Sequence, residues 1–166
     1  MKPSDTRRIL ELIVGEHVRF VVIGGLAMVS HGAATVTLDL DVCYERSDEN
    51  LRALERALTA IRPTLRGAPA DLPFRADAPT LKAGLNFTLD TDAGPLDLVG
   101  EIAGVGGFRE VAADAQAHEI FGQSVLVMSL SALIRSKQAA GRPKDRLHLL
   151  ELAEILRQRE VEPQPR

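Results

Sequence analysis

The chain has 166 residues, of which 45% are hydrophobic and 26% charged, a length that fits one domain and a composition that excludes global disorder or a fibrous repeat. Its longest apolar runs, Phe20 to Ile23 and Val125 to Met128, fall far short of the roughly 18 consecutive residues a membrane-spanning helix requires, so no membrane partner is expected. A net charge of −3, with five Phe, one Tyr and no Trp, argues against a long nucleic-acid groove or a base-stacking platform and favours a small site.

The first residues lead into alternating apolar and charged side chains, which carry no secretory address, and a cytoplasmic location is expected. Residues 5 to 17 place Ile9, Leu10, Leu12 and Ile13 among charges, the pattern of an amphipathic helix capped by Ser4 or Asp5. Val18 to Ile23 reads as a buried strand that runs into Gly24-Gly25. A helix from Leu26 to about His31 follows and is closed by Gly32. Thr37 to Tyr44 alternates Leu38, Leu40 and Val42 with Asp39, Asp41 and Cys43, so a strand there projects the two aspartates from one face.

Ser47-Asp48-Glu49 opens a helix to about Ile61, with Leu51, Leu54, Ala57 and Leu58 on one side. Residues 62 to 82 hold four prolines and are expected to form the longest loop, of a length that often carries substrate contacts. Leu85 to Leu89 and Leu96 to Val99 flank a turn-rich connector and predict a hairpin with Asp97 in its second strand. Gly100 to Gly107 reads as flexible. A second hairpin, His118 to Phe121 and Ser124 to Met128, turns at Gly122-Gln123, and two helices, Ser129 to Ala140 and Pro143 to Arg157, are separated by Gly141. The expected fold is therefore α/β, a single domain over residues 1–160 with a small mixed sheet, flanking helices and C-terminal helices, followed by a flexible tail at 161–166.

Two carboxylates two apart on a strand point the same way, and Asp97 from a second strand completes a clamp of hard oxygen ligands suited to Mg²⁺. Clustered like charges repel, so three converging aspartates imply a cation. The upstream glycines allow backbone amides to approach a phosphate beside a helix N-terminus, and together the two features suit a nucleoside triphosphate with its metal.

Gly24-Gly25-Leu26-Ala27, His31-Gly32, Thr37-Leu38-Asp39-Leu40-Asp41, Leu96-Asp97-Leu98-Val99-Gly100-Glu101 and the later stretch from Leu133 to Arg146 resemble the signature of minimal nucleotidyltransferases of the polymerase-beta superfamily, above all the abortive-infection and toxin-antitoxin group. The resemblance spans residues 20 to 155. It implies a nucleotidyltransferase fold and transfer of a nucleotide from a triphosphate to a hydroxyl on RNA or protein, with a cognate antitoxin as a partner. It also implies Asp39 and Asp41 as catalytic metal ligands, Asp97 as the third acid, Lys137 as the group that steadies the triphosphate, and Mg²⁺ as cofactor. Arg142 and Lys144 add phosphate contacts, and Gly24 and Gly25 complete the nucleotide-binding set. The alternative is a relative that binds nucleotide or a partner without turnover.

Two departures from the pattern stand out. Gly25 occupies a position where the superfamily often has Ser, and Ala33-Ala34-Thr35-Val36-Thr37 lacks the Arg that commonly precedes the threonine. Among the other candidates, Cys43 reads as a buried apolar residue, His31 as a helix-end residue, and Gly104 to Gly107 lacks the glycine spacing of a dinucleotide fingerprint.

Overall fold

Helix α1 (Thr6–Gly15) begins where the Asp5 carboxylate accepts the Arg8 amide at 3.1 Å, and it buries Ile9, Leu10 and Ile13 on one stripe. These side chains belong to the same core cluster as β1 (Phe20–Ile23), whose four residues are all buried. Burial of each such Val or Ile contributes about 1.5–3 kcal/mol, which makes this short strand a central part of the core. In this computed structural model, residues 4–37 and 39–162 are described. Leu38, part of the expected strand alternation, and residues 163–166 of the expected tail lie outside the described residues.

The chain continues through α2 (Gly24–Ser30), β2 (Leu40–Tyr44) and α3 (Asp48–Thr59). The Ser47 hydroxyl caps α3 by accepting the Asn50 amide at 3.2 Å. The buried Asn50 side chain accepts the Arg19 amide and donates to the carbonyls of Arg19 and Glu45, which ties the start of β1 to the end of β2. Three of the side chain's polar capacities are thereby satisfied where an unpaired amide would be costly.

The expected loop at 62–82 instead holds β3 (Thr64–Leu65) and α4 (Ala78–Ala83). β3 carries no local signal and exists because it pairs with β4 (Phe87–Thr91), whereas α4 has a local one that the sequence reading missed: the Asp77 carboxylate accepts the Thr80 amide at 3.0 Å, with Pro79 in the first turn. The expected hairpin is β4 with β5 (Gly94–Val99). The stretch read as flexible is a small hairpin, β6 (Glu101–Ile102) with β7 (Gly106–Gly107), followed by α5 (Phe108–Ala113), which the sequence reading omitted. Next come β8 (Gln116–Ile120) and β9 (Gln123–Val127), turned by Phe121 and Gly122, both at positive φ. α6 (Leu130–Ala140) ends in a left-handed Gly141, and α7 (Pro143–Val161) reaches past the expected Arg157.

Seven strands form one mixed sheet in the order β3-β4-β5-β2-β1-β9-β8. β2 lies parallel to β5, and β1 parallel to β9; the other neighbours are antiparallel. The expected α/β architecture with a mixed sheet is the observed one. Among the described residues, no helix is long and apolar enough to cross a membrane.

Candidate active site

The β2–β5 pairing brings the acids together. Its register sets Asp41 opposite Asp97, so the two carboxylates rise from neighbouring parallel strands on one face of the sheet. Asp39 stands just before β2, which starts at Leu40 rather than at the expected Thr37; there the Thr37 hydroxyl donates to the Asp39 carbonyl at 3.2 Å. Burial, followed by the charges of Asp97 and Asp39, pushes the Asp41 carboxyl up to about 6, against a smaller opposing pull from Lys137.

Asp97 Oδ1 is buried and accepts no hydrogen bond. The guanidinium Nη2 of Arg66 is 3.1 Å away, an ion pair by distance, but its bonding geometry serves the Leu89 carbonyl at 2.7 Å instead. Among the described residues, no three acid, histidine or cysteine side chains already converge as a metal-binding group. The donor chemistry nevertheless fits a divalent cation: hard carboxylate oxygens, one of them buried without a hydrogen-bond partner, and a carboxyl raised by its neighbours' negative charge.

Gly24 takes φ +64°, and a Cβ built on it would lie 2.1 Å from Asp41 Oδ2. Glycine is required twice over here, for its backbone conformation and for the carboxylate packed against it. Gly25 is constrained by space alone: a Cβ there would meet the Thr37 side chain at 2.9 Å. The departure from Ser noted in the sequence thus has a steric cause, since Thr37 fills the space a Ser side chain would need.

The opposite wall belongs to α6 and α7. The left-handed Gly141 folds α7 back so that Asp145, with no exposed surface, faces Lys137 Nζ at 3.3 Å and Arg142 Nε at 2.8 Å. Asp145 also accepts the Arg142 amide at 3.1 Å. Burial raises the Asp145 carboxyl, but the hydrogen bonds from Arg142 and Lys137 outweigh it and hold the group at about 2. Lys137 is therefore directed by a fixed anion, whereas Arg135, two residues earlier on α6, is exposed. Lys144, exposed in the first turn of α7, lines the same cavity.

All eight residues singled out in the sequence, Asp39, Asp41, Asp97, Gly24, Gly25, Lys137, Arg142 and Lys144, line one cavity of about 590 Å³. The sequence reading assigned no role to Asp145, although an acid at the third position of a helix that opens with proline is a recognisable capping signal. It also gave no role to Glu101 and Ser136, although both fall in the motifs it quoted, nor to His148, all three of which line the same cavity, nor to Arg66, for which no local signal exists. His31 lies elsewhere: it is buried, Nε2 pairs with the Met128 carbonyl at 2.7 Å and Nδ1 with Arg159 at 3.0 Å, so it joins α2 to α7. Cys43 is wholly buried, and desolvation pushes its thiol up to about 12.

No family model matches the chain, and no curated protein matches it significantly. Solved structures do. The lincosamide antibiotic adenylyltransferase LnuA, solved with lincomycin bound, superposes with a TM-score of 0.59 at 14% identity, over 93% of this chain and 99% of that one. A Thermotoga maritima protein assigned as a nucleotidyltransferase superposes with a TM-score of 0.51 at 20% identity, over 92% of this chain and 88% of that one. The fold is the nucleotidyltransferase fold. Identities this low carry the architecture and leave the chemistry to the site itself.

Proposed function

We propose that the protein, as one nucleotidyltransferase-like domain, is a Mg²⁺-dependent nucleotidyltransferase that moves a nucleotide from a nucleoside triphosphate to an acceptor hydroxyl. The observation that supports it is the polarity of one cavity: three aspartates from the β2–β5 edge face Lys137, Arg142 and Lys144 across it. Asp39, Asp41 and Asp97 would hold the metal, which lowers the acceptor hydroxyl's pKa and neutralises charge on the leaving pyrophosphate. Lys137, aimed by Asp145, sets the triphosphate, and Arg142 and Lys144 extend the positive wall towards solvent. Gly24 and Gly25 would present bare backbone to the donor, and Glu101 and Ile102 of β6 line the same cavity. The acceptor oxygen forms a bond to the α-phosphorus, the bond to pyrophosphate breaks, and the hydroxyl proton leaves on the acid side.

The acceptor in this reading is RNA or protein, the protein is a cytoplasmic toxin-antitoxin component, and a cognate antitoxin is its partner. Lincomycin in LnuA adds small alcohols to the acceptors to be tried. The test incubates the full chain with labelled triphosphates, Mg²⁺ and RNA, protein or lincosamide acceptors, beside an Asp39→Ala, Asp41→Ala control. Label transfer that needs metal and disappears in the control supports the reading; label that persists in the control overturns it. A second reading, a nucleotide-binding relative without turnover, draws on Arg66 standing 3.1 Å from Asp97. Calorimetric binding of triphosphate with Mg²⁺, and no product with any acceptor, selects it.

A further inference from the structure

Strand β3 delivers a cation that the transfer reading does not use. Leu65 pairs with Leu89, and the next amide, that of Arg66, donates to the Thr88 carbonyl at 2.9 Å. Thr88 is in turn the register partner of Asp97. The Arg66 guanidinium is held at two points, with Nε on Asp90 Oδ1 at 3.0 Å and Nη2 on the Leu89 carbonyl at 2.7 Å. Nη2 then lies 3.1 Å from Asp97 Oδ1. The acid cluster is thus bracketed by positive charge, with Lys137 on the α6 side and Arg66 on the β4 side.

We propose that Arg66 is a positioning residue and the resident counter-ion of the acid cluster, so that a divalent cation alone is held weakly and binds together with the triphosphate. This rests on the transfer reading above. A fixed guanidinium 3.1 Å from Asp97 offsets that carboxylate's charge in the free protein without hydrogen-bonding to it, and repels an approaching divalent ion. The triphosphate's own negative charge offsets that repulsion when the two enter as a complex.

The test is binding of Mn²⁺ alone to the full chain, read by the electron paramagnetic resonance of the free ion, with urea midpoints confirming that each variant is folded. Arg66→Gln and Arg66→Met, which remove the charge, are expected to bind Mn²⁺ about tenfold or more tightly than the wild type, and Arg66→Lys to stay near it. The difference is expected to shrink when a non-hydrolysable triphosphate is present. In the wild type, the Arg66 Nε–H resonance is expected to be unmoved by millimolar Mg²⁺ and to shift when triphosphate is added with it, a readout that needs no variant to fold. Unchanged or weaker Mn²⁺ binding by the neutral variants, or an Arg66 shift with Mg²⁺ alone, overturns the proposal and leaves the transfer reading standing. Absence of Mn²⁺ binding in every protein, with or without triphosphate, overturns both.

Discussion

Asp145→Asn is the substitution whose cost can be worked furthest from the structure. It keeps the side-chain shape and one oxygen for the Arg142 amide, but removes the buried charge that faces Lys137 and Arg142. The native carboxyl is held at about 2 against an ordinary 3.8, a displacement that corresponds to about 2 kcal/mol of folding stability at neutral pH. Removing one member of a buried pair costs about 3–5 kcal/mol where the remaining charge is trapped. Lys137 is 12% exposed and can turn into the cavity, so a loss near the lower figure, about 2–3 kcal/mol, is expected. With a urea slope of about 2 kcal/mol per molar, the midpoint should fall by roughly 1 M at pH 7. The sign of the pH dependence follows from the depressed value: the contribution is complete well above 3.8 and disappears as pH drops through about 2. At pH 3, about half of the difference should remain. Equal midpoint losses at pH 7 and pH 3, or none at pH 7, would refute the claim that the ionised carboxyl joins α6 to α7.

Four further outcomes follow from the same geometry. Gly24→Ala places a methyl on Asp41 in a left-handed backbone, so stability should drop by about 1–2 kcal/mol from the conformation alone, and Mn²⁺ binding measured by titration calorimetry should weaken. Gly25→Ser should lower the thermal midpoint, and Thr37→Ala in the same chain should restore most of it, because the two side chains compete for one space. Burial lowers the pKa of His31, so stability should decline as pH falls below its ordinary 6.5; His31→Gln should flatten that part of a urea-midpoint profile, with His148, also lowered, leaving a smaller residual slope. Cys43 should resist iodoacetamide at pH 8 in the native protein and be labelled only in denaturant, as mass spectrometry can show.

Most of the longer elements were legible from the sequence because their causes are local. Asp5, Ser47 and Ser129 cap helices whose apolar spacing is visible within a few residues, and Gly122 and Gly141 mark turns that need positive φ. The acid pair, the glycine turn and the Lys137 helix could be singled out for the same reason. Elements that exist only because a distant strand accepts them were not legible: β3 is two residues held by β4, and the β6–β7 hairpin packs its Gly104 against the backbone of Arg135 on α6. Tertiary structure alone decided that Asp41 meets Asp97, that Thr37 excludes a side chain at position 25, that Asp145 aims Lys137, and that Arg66 reaches the acids. The first depends on the parallel β2–β5 register, the second on the return of the chain from α2 to β2, the third on the fold-back at Gly141, and the last on the β3–β4–β5 pairings. No spacing along the chain encodes such meetings, because they are selected by the burial of the whole core.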